Sequence, residues 1–245
     1  MHFMNPRNTL LAAFTLGSLL CATSSQASLD FDDVALLAPS GSAPSQIQFG
    51  PNSTFNFVDS SVAVVGIGDG KAQFQITSAG DAQGLYGAFS GGPWTYGAIT
   101  TISTILGTEE TANVTTPGGA FAIADGHGGF LTGQVNWVQI FSLASTGGIN
   151  NGAAVNVTSL SYSGTENDVL KALAGQGNSG TMVLSFSFAS GYALDHFTDS
   201  TTEEKTVFSG SLSTVPEPTT LVSGILLLGP LGLSAARLLR KKGVV

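Results

Sequence analysis

The sequence predicts an all-β fold: an antiparallel β-sandwich or jelly roll with one short helix, between an N-terminal signal helix and a C-terminal transmembrane helix. One such strand is 181–188, in which Met182, Leu184, Phe186 and Phe188 alternate with mostly small polar residues. This alternation is typical of a strand with one buried face. Similar short segments recur between joints of glycine, serine, threonine and asparagine, which favours a sandwich or jelly roll.

The other strands are predicted from the same alternation. Residues 54–58 place Phe55 and Phe57 on one face, and apolar residues recur in the same way in seven more segments. These further predicted strands are 47–49, 96–105, 110–115, 120–124, 130–140, 155–162 and 205–212.

A β-hairpin is predicted around Asp69-Gly70, a pair that favours a type I′ turn. With these two residues as the turn, three apolar pairs fall on one face of the sheet, and Gln73 and Gln75 fall on the other. The predicted pairs are Ile67 with Ala72, Val65 with Phe74, and Ala63 with Ile76.

One short helix is predicted after residue 164. Thr165 is the expected N-cap, Asp168 lies three residues further on, and Gly175 is the expected stop.

The N-terminus has the three parts of an export signal. Arg7 is the basic residue, residues 10–21 are apolar, and Ser25-Gln26-Ala27 offers small residues at both positions that signal peptidase recognises. We therefore expect cleavage between Ala27 and Ser28. The only cysteine, Cys21, leaves with the signal, so the mature domain has no thiol chemistry.

The C-terminus combines a rigid motif, an apolar span and a basic cluster. Val215-Pro216-Glu217-Pro218 cannot form a helix, because its prolines fix φ and lack amide donors. Residues 218–236 then give 19 uncharged residues, about 28 Å of helix against a hydrocarbon core of about 30 Å. A basic stop ends the span on the cytoplasmic side. Its residues are Arg237, Arg240, Lys241 and Lys242.

In combination, these features resemble the PEP-CTERM sorting signal of Gram-negative bacteria that secrete exopolysaccharide. The resemblance covers residues 215–242 only, with Thr219-Thr220 in place of the commoner Ser-Thr pair. It implies recognition by a membrane enzyme of the exosortase type. That enzyme would cut near the motif and release the exported domain or transfer it to the cell surface or extracellular matrix.

Three parts of the chain follow from these signals. Residues 1–27 are the predicted signal peptide, 28–214 the exported β-sandwich domain, and 215–242 the sorting signal. The precursor is expected in the inner membrane, and the mature protein at the surface or in the matrix. Processing would require signal peptidase and the exosortase-type enzyme.

The exported part is strongly acidic. Residues 28–214 contain 15 carboxylates and only three lysines, a net charge of about −12. A surface of this sign repels phosphate backbones and anionic lipid, so nucleic acid is excluded as a partner.

The residues expected to be exported do not assemble a recognisable catalytic motif. There is no Gly-x-Ser-x-Gly, and His127 lies in a predicted glycine turn. His196 follows Asp195, but neighbours on a strand point to opposite faces and would not pair. The pairs Glu109-Glu110 and Glu203-Glu204 lie among threonines, as in solvated turns or charged edge strands. We therefore expect a protein without enzymatic activity.

Two binding sites remain as weaker hypotheses. Asp30, Asp32 and Asp33 carry the hard oxygen ligands that calcium prefers, with Asp30 and Asp32 on one face of an extended segment. A solvated acidic cap is the alternative, and no other cofactor is expected. Trp94 and Tyr96 follow a Gly-Gly-Pro loop and could stack on sugar rings if exposed.

The sequence thus leaves two functions open. The preferred one is a non-catalytic surface or matrix protein linked to exopolysaccharide or biofilm. The alternative is a carbohydrate-binding module or glycoside-active enzyme anchored by the same signal. A flat serine and threonine face would favour the first, whereas a concave face with exposed Trp94 or Tyr96 beside two close carboxylates would favour the second.

Overall fold

The computed structural model describes residues 27–34, 44–67, 70–78, 80–105, 107–144, 151–189 and 192–214. Within them the chain forms thirteen antiparallel strands and one α-helix, α1 (Asp168–Gly175). The strands are β1 (Ser28–Asp33), β2 (Gln46–Gly50), β3 (Thr54–Val58), β4 (Phe74–Ile76), β5 (Tyr86–Ser90), β6 (Trp94–Thr104), β7 (Gly107–Val114), β8 (Gly118–Ala124), β9 (Phe130–Ala144), β10 (Asn151–Tyr162), β11 (Ser179–Phe186), β12 (Glu204–Thr206) and β13 (Phe208–Thr214).

Eight of these strands close into a ring, so the prediction of a sandwich or jelly roll is wrong. The ring order is β9-β10-β11-β13-β1-β4-β5-β8, and β8 pairs with β9 again. The result is a closed antiparallel barrel in which every ring strand has two hydrogen-bonded neighbours. A sandwich needs two separate sheets with free edges, and this closure removes them.

The remaining five strands form a side sheet that branches from the ring at β9. The first half of β9 pairs with β8, whereas the second half, from Gln139, pairs with β7 on the same side. The sheet continues in the order β7-β6-β3-β2-β12. Its aromatic residues pack on the ring, for example Phe49 on Phe186 at 4.9 Å and Phe57 on Phe208 at 4.9 Å between ring centroids. Ring and side sheet thus share one hydrophobic core.

The curvature of the ring is accommodated by glycines that lie opposite phenylalanines. Three cross-strand pairs face the interior: Phe31 with Gly210, Phe74 with Gly87, and Phe121 with Gly133. A Cβ added to Gly210 would lie 2.5 Å from Phe31 Cζ, and one added to Gly133 would lie 2.5 Å from Phe121 Cε1. Each phenylalanine side chain therefore occupies the space that a side chain on the opposite strand would need. The glycine at that position lets adjacent strands bend sharply.

One end of the ring, which we call the α1 end, is closed by the helix. Leu170 and Leu173 are fully buried in the core. The predicted helix is confirmed, but its N-cap is Asn167 rather than Thr165. The Asn167 side chain accepts a hydrogen bond from the Leu170 amide at 2.8 Å, whereas the exposed Thr165 hydroxyl contacts only its neighbour Glu166.

The predicted hairpin exists, but its register is wrong. Ala63 bridges Lys71, and the Val64 amide donates to the Gly70 carbonyl at 2.8 Å. Phe74 and Ile76 pair with β1 and β5 instead, because they belong to the closed ring. The hairpin lies against the outside of the ring, where Ile67 packs with Ala88 and Ala124 and Val65 is left exposed.

The strand predicted at 54–58 is confirmed as β3, and the remaining predicted strands are present with shifted bounds. The strand predicted at 205–212 is two strands, β12 and β13, which belong to the side sheet and the ring respectively. The strands β1 and β5 were missing from the prediction. No helix within the described ranges is long and apolar enough to span a membrane. The predicted signal helix and the predicted span at 218–236 lie outside those ranges.

Candidate functional site

The predicted sorting residues lie outside the described part of the chain, whereas the predicted cleavage point lies within it. The motif Val215–Pro218 and the basic stop at 237–242 lie outside the described residues. Ala27 and Ser28 are described, and Ser28 is the first residue of β1. The Ala27 amide donates to Gln176 Oε1 at 3.0 Å, and its carbonyl accepts from the Thr214 amide at 3.0 Å. The two boundaries of the predicted exported domain therefore lie side by side at the α1 end.

Trp94 and Tyr96 are core residues, so their predicted stacking on sugar rings is wrong. Trp94 is 2% exposed and its Nε1 donates to the Gly118 carbonyl at 2.9 Å. The Tyr96 hydroxyl donates to the Leu194 carbonyl at 2.8 Å, and burial raises its pKa. The Gly-Gly-Pro loop does precede β6, but both side chains turn inward, where Trp94 packs on the core residue Trp137.

The three N-terminal aspartates do not converge. Asp30 and Asp32 share the outer face of β1, as predicted, but Asp33 points inward and is 1% exposed. Asp30 Oδ2 accepts a hydrogen bond from the Ser78 hydroxyl at 2.7 Å. Among the described residues, no group of three or more side chains of the types that ligate metals is placed to hold an ion. Calcium binding by Asp30 and Asp32 stays a prediction.

The outer face around Asp30 and Asp32 is polar and shallow. Asp30 lies opposite Ser211 and Asp32 opposite Ser209, and the next strand adds Val183 and Ser185. This serine-rich face of β1, β13 and β11 is the type of surface that the sequence linked to a non-catalytic surface protein.

His196 does pair with Asp195, contrary to the prediction. Both residues lie in a 3-10 turn, Leu194–Phe197, where neighbouring side chains do not alternate between faces, and His196 Nδ1 lies 2.8 Å from Asp195 Oδ1. His127, in contrast, lies in the predicted turn, where its amide and that of Gly129 donate to Asp125 Oδ1.

Glu110 is buried beneath the 194–197 turn, so its assignment to a solvated segment is wrong. It is 5% exposed, and its Oε2 accepts the Asp195 amide at 3.0 Å. Burial raises the pKa of the Glu110 carboxyl, and burial also raises that of Glu204, whose Oε1 accepts the Ala189 amide. Each of the two carboxylates thus accepts one backbone amide, that of Asp195 for Glu110 and that of Ala189 for Glu204. His196 Nδ1 also lies 3.3 Å from the Ala193 amide nitrogen, so the described contacts of this ring nitrogen are within the turn and its N-cap.

A cleft of about 440 Å³ lies between β3 of the side sheet and β5 of the ring. Its inner wall is apolar, with Phe57, Phe89 and Trp94 nearly buried. Its rim is the exposed loop 91–93, between β5 and β6. The volume falls within the range of small-ligand sites, about 300–1,000 Å³.

The polar side of the cleft is built on Gln73. This residue is 7% exposed, its Nε2 donates to Asp59 Oδ1 at 2.7 Å, and its Oε1 accepts the Phe89 amide at 2.7 Å. Gln73 therefore fixes Asp59 against β5. Asn56 and Ser90 complete the wall. Because both amide ends of Gln73 are used, the carboxylate of Asp59 is held in place without a neighbouring cation.

The sequence gives only a weak signal for these cleft residues. Asn56 alternates with Phe55 and Phe57, which predicts an outward polar residue but no partner for it. Asp59 and Ser90 lie on segments that meet only because the side sheet folds across the ring. Because of its volume, its apolar inner wall and its fixed carboxylate, we take the cleft as the candidate binding site of this protein.

The comparisons with known proteins add no assignment. The chain matches no protein-family model. Searches of curated proteins and of solved structures likewise returned no significant match. The function must therefore be argued from the fold, the cleft and the signals at the two ends of the chain.

Proposed function

We propose that the chain is an exported, non-catalytic surface or matrix protein of a Gram-negative bacterium, processed through its C-terminal Pro-Glu-Pro, transmembrane and basic signal. The observation that carries this proposal is where the folded unit begins and ends. β1 starts at Ser28, directly after the expected cleavage site, and β13 ends at Thr214, directly before the motif. Cutting at both points would leave every strand of the described residues intact.

Two further observations support a non-catalytic role. The carboxylates with raised pKa, Glu110 and Glu204, are used to hold backbone amides. The outer face of β1, β13 and β11 offers serines and aspartates, a solvated surface suited to a hydrated polysaccharide matrix.

Replacing both motif prolines, Pro216→Ala and Pro218→Ala, tests the sorting step. The double variant keeps the apolar span and the basic stop, but its motif can join the helix, because alanine restores the amide donors. In the native host, we expect uncut precursor to accumulate in the inner membrane, measured by fractionation and by the mass of the protein.

Thr219→Ser is the matched control, since it lies beside the motif and restores the commoner residue. This control should be processed like the wild type. Removal of residues 215–245 should also change the cellular distribution of the domain. If the proline variant and the truncated chain both fractionated like the wild type, the sorting proposal would be wrong.

A further inference from the structure

We propose that the cleft between β3 and β5 binds a neutral saccharide. This inference does not depend on the sorting signal, and the predicted contacts Trp94 and Tyr96 do not supply its exposed surface. It rests on the hydrogen-bonding groups that the cleft leaves unused, on the charge of its wall and on its position in the fold.

Three side chains of the cleft have hydrogen-bonding capacity that the described residues do not use. Asp59 engages Oδ1 with Gln73, and its Oδ2 has no partner within the described ranges. Asn56 donates to the Phe57 carbonyl at a long 3.4 Å, and within the same ranges its Oδ1 accepts nothing. The exposed Ser90 hydroxyl is also without a partner among the described side chains and backbone. Together they offer acceptors and donors spaced along one wall.

These groups fit hydroxyls better than they fit a charged ligand. No lysine or arginine lines the cleft, and Asp59 is a fixed negative charge, so an anionic ligand would be repelled. A lone carboxylate is too few ligands for a bound metal ion. A sugar hydroxyl, in contrast, can donate to Asp59 Oδ2 in a charge-assisted hydrogen bond.

The opposite wall suits the apolar faces of a sugar ring. Phe57 and Phe89, both nearly buried, line the floor, and the exposed Pro93 stands at the rim. A pocket with an apolar floor and a few fixed polar groups binds ligands that carry both kinds of surface. Because Gln73 is hydrogen-bonded at both ends of its amide, the carboxylate of Asp59 is held in place before any ligand arrives.

The cleft also lies away from the two boundaries of the described unit. β1 runs from Ser28, beside Thr214, to Asp33, and the partner of Asp33 is Phe74, directly after Gln73. The cleft is therefore at the opposite end of the ring from Ala27 and Thr214.

Binding is tested with the full-length chain, purified in a zwitterionic detergent that carries no sugar. The probes are neutral trisaccharides of glucose, with α and with β linkage, and of N-acetylglucosamine, with a trisaccharide of galacturonic acid as the anionic comparison. Saturation-transfer NMR identifies the bound sugar, and calorimetry gives its dissociation constant. We expect at least one neutral trisaccharide to bind and the anionic one to bind more weakly.

Three variants locate the site. Ser90→Ala and Asn56→Ala should each weaken binding about three- to tenfold, the loss for one neutral hydrogen bond. Asp59→Asn removes the charge but keeps an oxygen for Gln73, and it should weaken binding about tenfold or more. Ser185→Ala, an exposed serine of the polar outer face, is the matched control and should leave the dissociation constant unchanged.

Two results would overturn the proposal: no binding of any neutral probe at millimolar concentration, or binding that none of the three cleft variants weakens. Because Ser90 is exposed, its variant tests the site even if the other two lower stability. The sorting test follows the location and mass of the protein in cells, so either proposal can fail while the other stands.

Discussion

At the scale of single residues, the carboxylates of this acidic chain occupy very different environments. Asp199 is exposed and accepts the amides and hydroxyls of Thr202 and Thr201, which lowers its pKa to about 2. Burial opposes ionisation of Asp125, but hydrogen bonds from the Tyr162 hydroxyl and two backbone amides outweigh it and lower its pKa. For Glu110 the effect of burial is larger than that of its hydrogen bonds, so its pKa is raised.

Glu110 should make stability depend on pH. Its pKa in the fold is raised, so its contribution is complete below its ordinary pKa of 4.5 and is lost as pH rises through the raised value. In Glu110→Gln the group cannot ionise, and its amide oxygen can still accept the Asp195 amide. We expect the melting temperature of the wild type to fall relative to that of the variant between pH 4 and pH 8.

Thermal unfolding at several pH values checks this, and Glu109→Gln makes the same change in net charge on the other face of β7. Curves for the wild type and Glu110→Gln that stay parallel would contradict the argument. The argument would also be contradicted if the difference in melting temperature between the wild type and Glu109→Gln changed with pH by the same amount.

The side chains that sequence reasoning misplaced share one cause. The loop before Trp94 raises exposure of its side chain only as a hypothesis, and an assumed strand predicts that His196 points away from Asp195. In both cases the local pattern was identified, but the orientation depends on an element whose type or packing forms only in the folded chain. Trp137 alternates with Val135 in the segment 130–140, a pattern that indicates a core position, and it is 1% exposed.

At the scale of elements, α1 is fixed at its start by two residues that no sequence motif connects. Asn167 is the N-cap, directly before the first residue of the helix. Asp81 accepts hydrogen bonds from the amides of Asp168 at 2.6 Å and Val169 at 3.2 Å. Asp81 lies in a 3-10 turn nearly ninety residues earlier. Its negative charge at the N-terminus also suits the helix dipole.

Asn167→Ala tests which residue caps the helix. It removes the hydrogen bond to the Leu170 amide, and the loss of such a cap costs about 1 kcal/mol of unfolding free energy. Thr165→Ala changes the cap expected from the sequence and should alter stability by less than about 0.5 kcal/mol. Chemical denaturation of the full-length protein measures both, and equal effects would refute the assignment.

The hairpin at 60–72 shows a second limit at this scale. Its predicted register was self-consistent, since it placed three apolar pairs on one face. The actual register leaves Val65 94% exposed but frees Phe74 and Ile76 for the ring. Two registers of a short strand can each satisfy a local pattern, and the one that closes the larger core is adopted.

At the scale of the whole molecule, the closure of the ring depends on the phenylalanine and glycine pairs. Alternation along each strand correctly predicted which residues face inward, such as Met182, Leu184 and Phe186. It could not predict that β8 returns to pair with β9, because that closure depends on cross-strand register. The glycines appear in the sequence simply as weak strand formers.

Gly133→Ala should therefore destabilise the fold through crowding. The new methyl group would lie 2.5 Å from Phe121 Cε1 and 3.2 Å from Leu160 Cδ2, and overpacking of this kind costs about 1–3 kcal/mol. Gly118→Ala, at the start of β8, meets no atom within 4 Å and is the matched control. Equilibrium unfolding compares the two variants, and a loss for Gly133→Ala no larger than that for Gly118→Ala would contradict this account of the ring.

The neighbouring positions of Ala27 and Thr214 have a mechanical consequence. In a domain anchored after Thr214 and held by a ligand at the cleft, force would enter through β13 and act along its length. β13 is hydrogen-bonded to β11 and to β1 on its two sides, and antiparallel hydrogen bonds lie perpendicular to the strands. Such a load would shear both ladders at once, whereas pulling Ala27 away from Thr214 would unzip β1 from β13 one bond at a time. If the proposed anchor after Thr214 exists, the domain would resist this load better than it resists separation of Ala27 from Thr214.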